Sequence, residues 1–386
     1  MTSILFIQNG DYRDAYQRFA RGGPETYRDQ RRSVDYVAGL TTRGKVTTAA
    51  YCQASYHEEL APGLWAIGMQ RGNVSARQIR KIFDQANPTH VILRTPDRGF
   101  LREIRKRNLP LLPSFADIIN PGGLRTRLTH VLLRRALLQC QTPCYSNHSL
   151  NASRSLVNVL GLPEDKVVPW DWSKVPFTFP AKTGAVNPET PTAFYAGVLS
   201  EHKGVGDCLA AVAVLKARGI RLTMRFAGPG DIGEWTARAE ALGIADQVAF
   251  LGVVGNAEVR EKMNAHDVVI VASRHSYPEG LPNTIYEALA SRSVMVISDH
   301  PSFSGRLRPD EEAVVFEAQN PASLADGITM AVSDPALYKR VSANAEAAHD
   351  RLYIGLEWTE LVETFLNDPL NETGWVTRNC LSVLDP

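Results

Sequence analysis

The chain has 386 residues, 44% apolar and 22% charged, with 28 glycines and 23 prolines. That exceeds what one hydrophobic core carries, since single cores stop growing at roughly 250–300 residues, and it lacks the biases of disordered, collagenous or disulfide-built chains. Two globular domains are expected. Net charge is only +1, which excludes a strongly basic nucleic-acid binder, but residues 1–180 hold 25 Lys and Arg against 14 Asp and Glu, a balance of +11, while the rest stands at −10. A basic first half suits an acidic partner, either an anionic membrane surface or a phosphorylated acceptor; alternatively the two halves attract each other across a cleft.

The opening stretch MTSILFIQNGDYRDAYQ has no basic leader before its apolar run, and nowhere do about 18 apolar residues run together. A cytoplasmic protein is expected, at most peripheral at the inner membrane face. Cys52, Cys140, Cys144, Cys208 and Cys380 are scattered and odd in number, without a partner pair at zinc spacing, so they read as reduced packing residues and no metal site is expected.

In chain order, SILFIQ, KVTTAAY, LWAIGM, HVILRT and PLLPSFA read as strands of the first domain. FARGGPETYRDQ (19–30) carries Gly22 and Gly23, which could let backbone approach a ligand or could simply turn the chain. GGLRTRLTHVLLRRALLQ is a helix whose leucines and valine form one stripe beside Arg125, Arg127, Arg134 and Arg135. It could lie on an anionic bilayer, or pack its stripe in the core and leave a solvated basic face. YSNHSL (145–150) and VVPWDW (167–172) end further strands, and His148 there, like His275 later, is either a substrate contact or a hydrogen-bonded structural residue. WSKVPFTFPAKTGAVNPETPT (172–192), with four prolines, reads as an interdomain linker and hinge between domains at 1–175 and 176–366.

Beyond it, TAFYAGVL (192–199), LTMRFAG (222–228), VAFLGVV (248–254), VVIVAS (268–273), VMVISD (294–299) and AVVFEA (313–318) are near-continuous apolar runs, the pattern of parallel strands buried on both faces. Helices such as GDCLAAVAVLKARG and EWTARAEALG alternate with them, giving a doubly wound α/β domain. Lys203-Gly204 opens the first of these helices, well placed for a phosphate, and Gly228 and Gly230 follow the second strand. The sharpest signal is SRHSYPEGLPNTIYEALA (273–290). Pro282 favours the first helical turn, so Glu279 falls in the loop and Glu287 on the helix, while amides from Gly280 through Leu281 and Asn283 to Thr284 face outward at a helix N-terminus suited to a diphosphate.

This last segment resembles the E-x7-E motif of the retaining glycosyltransferases of family 4, in the glycogen-synthase-like group. The likeness is strong over 192–300 and looser over the first 175 residues. It implies the GT-B fold, an α/β architecture of two Rossmann-like doubly wound domains facing a central cleft, with a helix at 355–366 crossing back and the tail 367–386 packing on the first domain. It further implies that Glu279 contacts the donor hexose, Glu287 the ribose hydroxyls and Lys203 the diphosphate. Gly197 is similar to the opening glycine of the family's G-R-L-x-x-x-K-G, although Val198 stands at the arginine position. MRFAGPGD resembles the Gly-x-Gly strand end beside the nucleotide, FLGVV, with Val253 and Val254, the strand end that meets the base, and Gly22-Gly23 the glycine pair opening the first helix. Asp117 remains of a His-Asp pair near the reacting sugar; Ala116 takes the histidine position.

The resemblance thus implies a cation-independent transfer of a hexose from a nucleotide diphosphate sugar, as co-substrate, to a hydroxyl acceptor: a sugar, a lipid-linked sugar or a small molecule. Polysaccharide, glycolipid or glycoconjugate synthesis would be the setting. Glu279, Lys203 and Asp117 are the expected catalytic residues. A nucleotide-sugar epimerase on the same architecture, or a non-catalytic binding subunit suggested by Val198 and Ala116, are the alternatives.

Overall fold

The computed structural model describes every residue except Met1, Arg71, Asn73, Ala185, Ser304 and Pro386. The chain forms two compact units, one comprising residues 1–25, 29–173 and 354–386, the other 26–28 and 174–353.

The first unit is built on eight strands: β1 (Thr2–Asn9), β2 (Gly44–Cys52), β3 (Tyr56–Ala61), β4 (Leu64–Gln70), β5 (His90–Leu93), β6 (Leu111–Phe115), β7 (Tyr145–His148) and β8 (Val167–Trp170). Their spatial order is β3-β4-β2-β1-β5-β6-β7-β8, parallel throughout except for the antiparallel β3–β4 pair. The central strands are apolar on both faces because helices cover both sides: Ile4 and Phe6 join one core cluster, Leu5 and Ile7 the other. The edge strand YHEELA has no fully buried residue, so it carries no apolar run to read. β7 holds buried polar residues instead; Ser146 Oγ donates to Pro113 O (2.7 Å), and Asn147 Nδ2 to Asp117 O and Ala152 O (3.0 Å each).

The boundary expected near residue 366 lies earlier. The chain rejoins the first unit at Ile354, where Asp171 N–H donates to Leu356 O (3.0 Å) and Trp358 N–H to Asp171 O (2.9 Å). The helix Trp358–Asn367 therefore belongs to the first unit, with Trp358, Leu361 and Phe365 in its core. Trp375, Val376 and Leu381 of the tail are buried in the same unit, whereas Val383 is exposed.

The second unit is a six-stranded sheet of β9 (Thr192–Ala196), β10 (Thr223–Ala227), β11 (Val248–Phe250), β12 (Val268–Val271), β13 (Val294–Ser298) and β14 (Val314–Phe316). Its order, β11-β10-β9-β12-β13-β14 with every pair parallel, is the 3-2-1-4-5-6 arrangement of a Rossmann domain. All six apolar runs are strands, each stopping short of the glycines or polar residues at its end. The proline-rich stretch is no free hinge beyond residue 173. Val175 is buried in the core of this unit, Phe177 packs edge-on against His349, and Lys182 donates to Asn264 O (2.8 Å). Among the described residues no helix is long and apolar enough to cross a membrane.

Candidate functional site

In a doubly wound sheet, ligands bind where the strand order reverses, at the carboxyl ends of the two strands that flank the reversal. In the second unit these are β9 and β12. The loops leaving them, 197–204 and 272–282, are drawn together by Arg274 N–H donating to His202 O (2.9 Å). Gly204 makes this approach possible: its φ is +78°, and a Cβ there would stand 2.0 Å from Ala272 O.

The approach brings Lys203 Nζ to 2.5 Å from Glu279 Oε2. Ser273 Oγ donates to the same carboxylate oxygen (2.7 Å), and the Tyr277 ring lies 4.5 Å beneath the ammonium. Both charged side chains are largely buried, so their attraction is poorly screened and each compensates the other's lost hydration. Ser302 Oγ donates to Glu279 O. His300 receives Ser302 N–H at Nδ1 (3.1 Å), which fixes its neutral tautomer and leaves Nε2–H to donate to Tyr277 O (3.0 Å). Burial holds the His300 imidazole below its ordinary pKa.

Pro282 is the N-cap, one position before the helix Asn283–Ala290, so Glu279 lies in the loop and Glu287 on the helix. The amides of Gly280, Leu281, Asn283 and Thr284 donate to no acceptor among the described residues. Asn283 Oδ1 is likewise buried with no donor among them. A helix start with open amides beside an ammonium favours a polyanion. Glu287 is buried and accepts from Asn256 Nδ2 (2.5 Å).

The glycine positions after β9 and β10 serve mutual packing. Gly197 N–H donates to Ala227 O (2.9 Å), Gly228 N–H to Gly252 O (2.8 Å), and a Cβ on Gly228 would fall 1.8 Å from Gly197 O. Gly230 abuts Leu199. Val253 exposes its side chain, while Val254 is half-buried against the core. Val198 is also exposed. The sequence reading missed Ser273, Tyr277, Asn256, His300 and Ser302; Ser273 and Tyr277 lie inside the recognised segment, but the other three carry no spacing signal.

Arg274, on the loop after β12, does not replace the arginine absent at Val198. Its guanidinium is bidentate to Asp207 (2.8 and 2.7 Å) and reaches Glu201 (2.6 Å), clamping the first turn of the helix Val205–Ala217.

In the first unit the expected glycine pair is placed differently. Gly22 and Gly23 close the helix Tyr12–Ala20 rather than opening a helix; Gly22 N–H donates to Phe19 O (3.0 Å) and Gly23 N–H to Arg18 O (2.9 Å). Their amides are used as a C-terminal cap, so neither is open to a phosphate. Asp117 is exposed just past the carboxyl end of β6. His148 is buried between Trp170 and Trp172, its Nε2 3.2 Å from Asp171 Oδ1, and His275 Nε2 lies 2.7 Å from Asp299 Oδ1. This sheet reverses between β1 and β5, and a cavity of about 380 Å³ opens there beside Asn9, Tyr51, Thr95 and Asp97. Tyr51 OH donates to Asp97 Oδ2 (2.6 Å).

The fold is thus two Rossmann-like units, the second of which brings Lys203, Glu279 and the open amides of 280–284 together at the carboxyl ends of β9 and β12. Residues 180–348 match the family model of glycosyl transferases group 1. A glycogen synthase of Mycobacterium tuberculosis is 27% identical over 165 residues, 42% of this chain and 38% of the relative. An alpha-D-kanosaminyltransferase of Streptomyces kanamyceticus is 24% identical over 158 residues, 41% of this chain and 40% of that protein. The chain thus spans about two fifths of the length of these curated relatives. Among solved structures, sucrose-phosphate synthase from Thermosynechococcus elongatus superposes with a TM-score of 0.66 at 13% identity, covering 96% of this chain and 99% of the other. Anabaena HepE, solved with UDP, gives 0.65 at 14%, covering 95% and 100%. By sequence, residues 180–348 are similar to glycosyl transferases group 1, and the fold, shared with these solved structures, is GT-B.

Proposed function

We propose that the protein transfers a hexose from a nucleoside diphosphate sugar to a hydroxyl acceptor, with retention at the anomeric carbon and without a divalent cation. The observation that carries this reading is the Lys203–Glu279 pair, at the carboxyl ends of β9 and β12 beside the open amides of 280–284. As the bond from the anomeric carbon to the diphosphate breaks, negative charge gathers on the leaving oxygen. An ammonium and fixed amides aimed there stabilise the transition state more than the ground state. The acceptor hydroxyl forms the new bond from the same face, its proton passes to the departing diphosphate, and no protein nucleophile is needed.

In this reading Glu287 holds the ribose and Glu279 the hexose, while Asn283 Oδ1 accepts from a ligand hydroxyl. The acceptor enters on the first unit, where the cavity beside Tyr51 and Asp97 suits a hydroxylated ligand and Asp117 is the further polar group. HepE was solved with UDP and with UDP-glucose, which makes UDP the first base to test.

Thermal shift with the UDP, GDP, ADP and TDP forms identifies the donor; a ligand at 100 times its dissociation constant adds about 2.7 kcal/mol. Lys203→Ala is expected to weaken donor binding about 10- to 100-fold, the size of a lost charge-assisted contact, and to lower turnover at saturating donor. Wild-type turnover in that variant removes the lysine from the mechanism. NMR of the products separates transfer from epimerisation and reads the anomeric configuration, and unchanged rates in EDTA are expected. A second reading, a nucleotide-binding module without transfer, is favoured by Val198 together with the commitment of Arg274 to Asp207 and Glu201. Nucleotide binding without product for any acceptor would select it.

A further inference from the structure

The helix Leu124–Leu138 of the first unit does not pack its apolar stripe in the core, the second of the two sequence readings. Only Leu133 and Leu137 enter the core. Leu124, Leu128 and Val131 are 84%, 63% and 61% exposed, and Leu132 and Leu138 are also exposed. Residues 124, 128, 131 and 132 recur at helical spacing, so they form one outward apolar face, with Arg127 and Arg134 along one flank, Arg125 along the other and Arg135 closing it one turn beyond Val131. No acidic residue occurs between Asp117 and Glu164.

Beside this face, Arg98, Arg102, Arg105 and Arg135 line a cleft of about 250 Å³ with Gln139. Arg105 donates to Gln139 Oε1. Among the described residues none of these four guanidinium groups, nor Arg125 or Arg127, has a carboxylate within ion-pair distance. Elsewhere most surface arginines are paired, for example Arg107 with Asp84 and Arg154 with Asp385. Uncompensated cations in a ring around exposed leucines are unfavourable in water alone, and both features are satisfied by one surface, apolar below and anionic at its rim.

We infer that this helix lies in the plane of an anionic bilayer, its leucines and Val131 in the acyl boundary and the Arg98–Arg102–Arg105–Arg135 cleft on a lipid phosphate. Fifteen residues make a helix about 22 Å long, too short for the roughly 30 Å hydrocarbon core, so it rests on the membrane instead of crossing it. The inference does not depend on the reaction proposed above. It brings the chain to a membrane face, where a lipid-borne acceptor would be found.

Sedimentation of the full chain with vesicles of equal parts phosphatidylcholine and phosphatidylglycerol tests it, against phosphatidylcholine alone. Binding is expected only with the anionic lipid, falling steeply with salt. Arg102→Ser/Arg135→Ser should weaken it about 30-fold, near fivefold per arginine, and Leu128→Gln/Val131→Gln should abolish it. Because these side chains are exposed, both variants should keep the wild-type melting temperature and the thermal shift with nucleotide, which separates this test from that of the donor site. Equal binding to both vesicle types, no binding to either, or full binding by the variants overturns the inference. So does a concentration-dependent dimer, seen by light scattering, that Leu128→Gln/Val131→Gln disperses, because the face would then belong to a second copy of the chain.

Discussion

Lys203 has two claimants. Its ammonium is neutralised by Glu279 at 2.5 Å, and a diphosphate arriving at the helix start must draw it away from that carboxylate. The site therefore holds back part of its only fixed cation on the β9–β12 loops that is not already tied to structure, since Arg274 is bound to Asp207 and Glu201. Replacing Glu279 with Gln should consequently separate binding from chemistry. The amide still accepts from Ser273 while releasing the full ammonium charge, so the nucleoside diphosphate product is expected to bind as tightly as to the wild type or up to about tenfold more tightly. Turnover should fall by about 100-fold or more if the carboxylate acts on the sugar only as charge develops there. Titration calorimetry with the diphosphate and steady-state rates measure the two effects; a parallel loss of both would mean that Glu279 serves mainly to hold the loop.

At the level of elements, the site depends on how closely the loop after β9 presses on the end of β12, and Gly204 sets that distance. Gly204→Ala would put a methyl group 2.0 Å from Ala272 O at a φ of +78°, so the loop must retreat. A loss of about 2–4 kcal/mol in stability is expected, together with weaker donor binding because Lys203 moves off Glu279; denaturant unfolding and thermal shift with nucleotide read the two. This contact explains why the second unit was legible. Val-rich runs ending in Gly or Ser fix both the strands and the places where loops leave them, and E-x7-E with Lys203-Gly204 marks the two loops that meet. Partners drawn from other elements left no such mark: Asn256 reaches Glu287 from the head of a neighbouring helix, and His300 supports Tyr277 from the end of β13. Gly22-Gly23 misled because a glycine pair after a strand looks alike whether it opens a helix or, as here, caps the end of one. β3 was missed because an edge strand without a buried face shows no alternation, and the unit boundary because leucines and aromatics at 354–367 suit either core equally.

For the molecule as a whole, acid should weaken the fold in two stages. His57 and His90 in the first unit and His266 and His300 in the second are held below the ordinary imidazole range, chiefly by burial, with Lys45 and Lys81 adding to the effect at His57. As pH falls through about 6.5 the unfolded chain takes up protons that these folded sites refuse, so the stability they contribute is complete above that value and is lost as pH drops toward their folded pKa values. At Glu201, Asp299 and Glu312 burial is outweighed by hydrogen bonds and nearby cations, so each carboxyl is held below its usual range; their stabilisation persists to about pH 4.5 and fails below it. Glu25, raised by burial, runs the other way. The melting temperature is therefore expected to decline between about pH 7 and 5 and again, more steeply, in stronger acid. His300 links the first stage to the site, because protonating Nδ1 breaks its bond from Ser302 N–H and loosens the segment that carries Tyr277 and Glu279. In His300→Gln, which cannot titrate, the decline between pH 7 and 5 should be shallower, and nucleotide affinity should lose less over the same range than in the wild type. Identical slopes for the two proteins would place the acid-sensitive step at the other histidines.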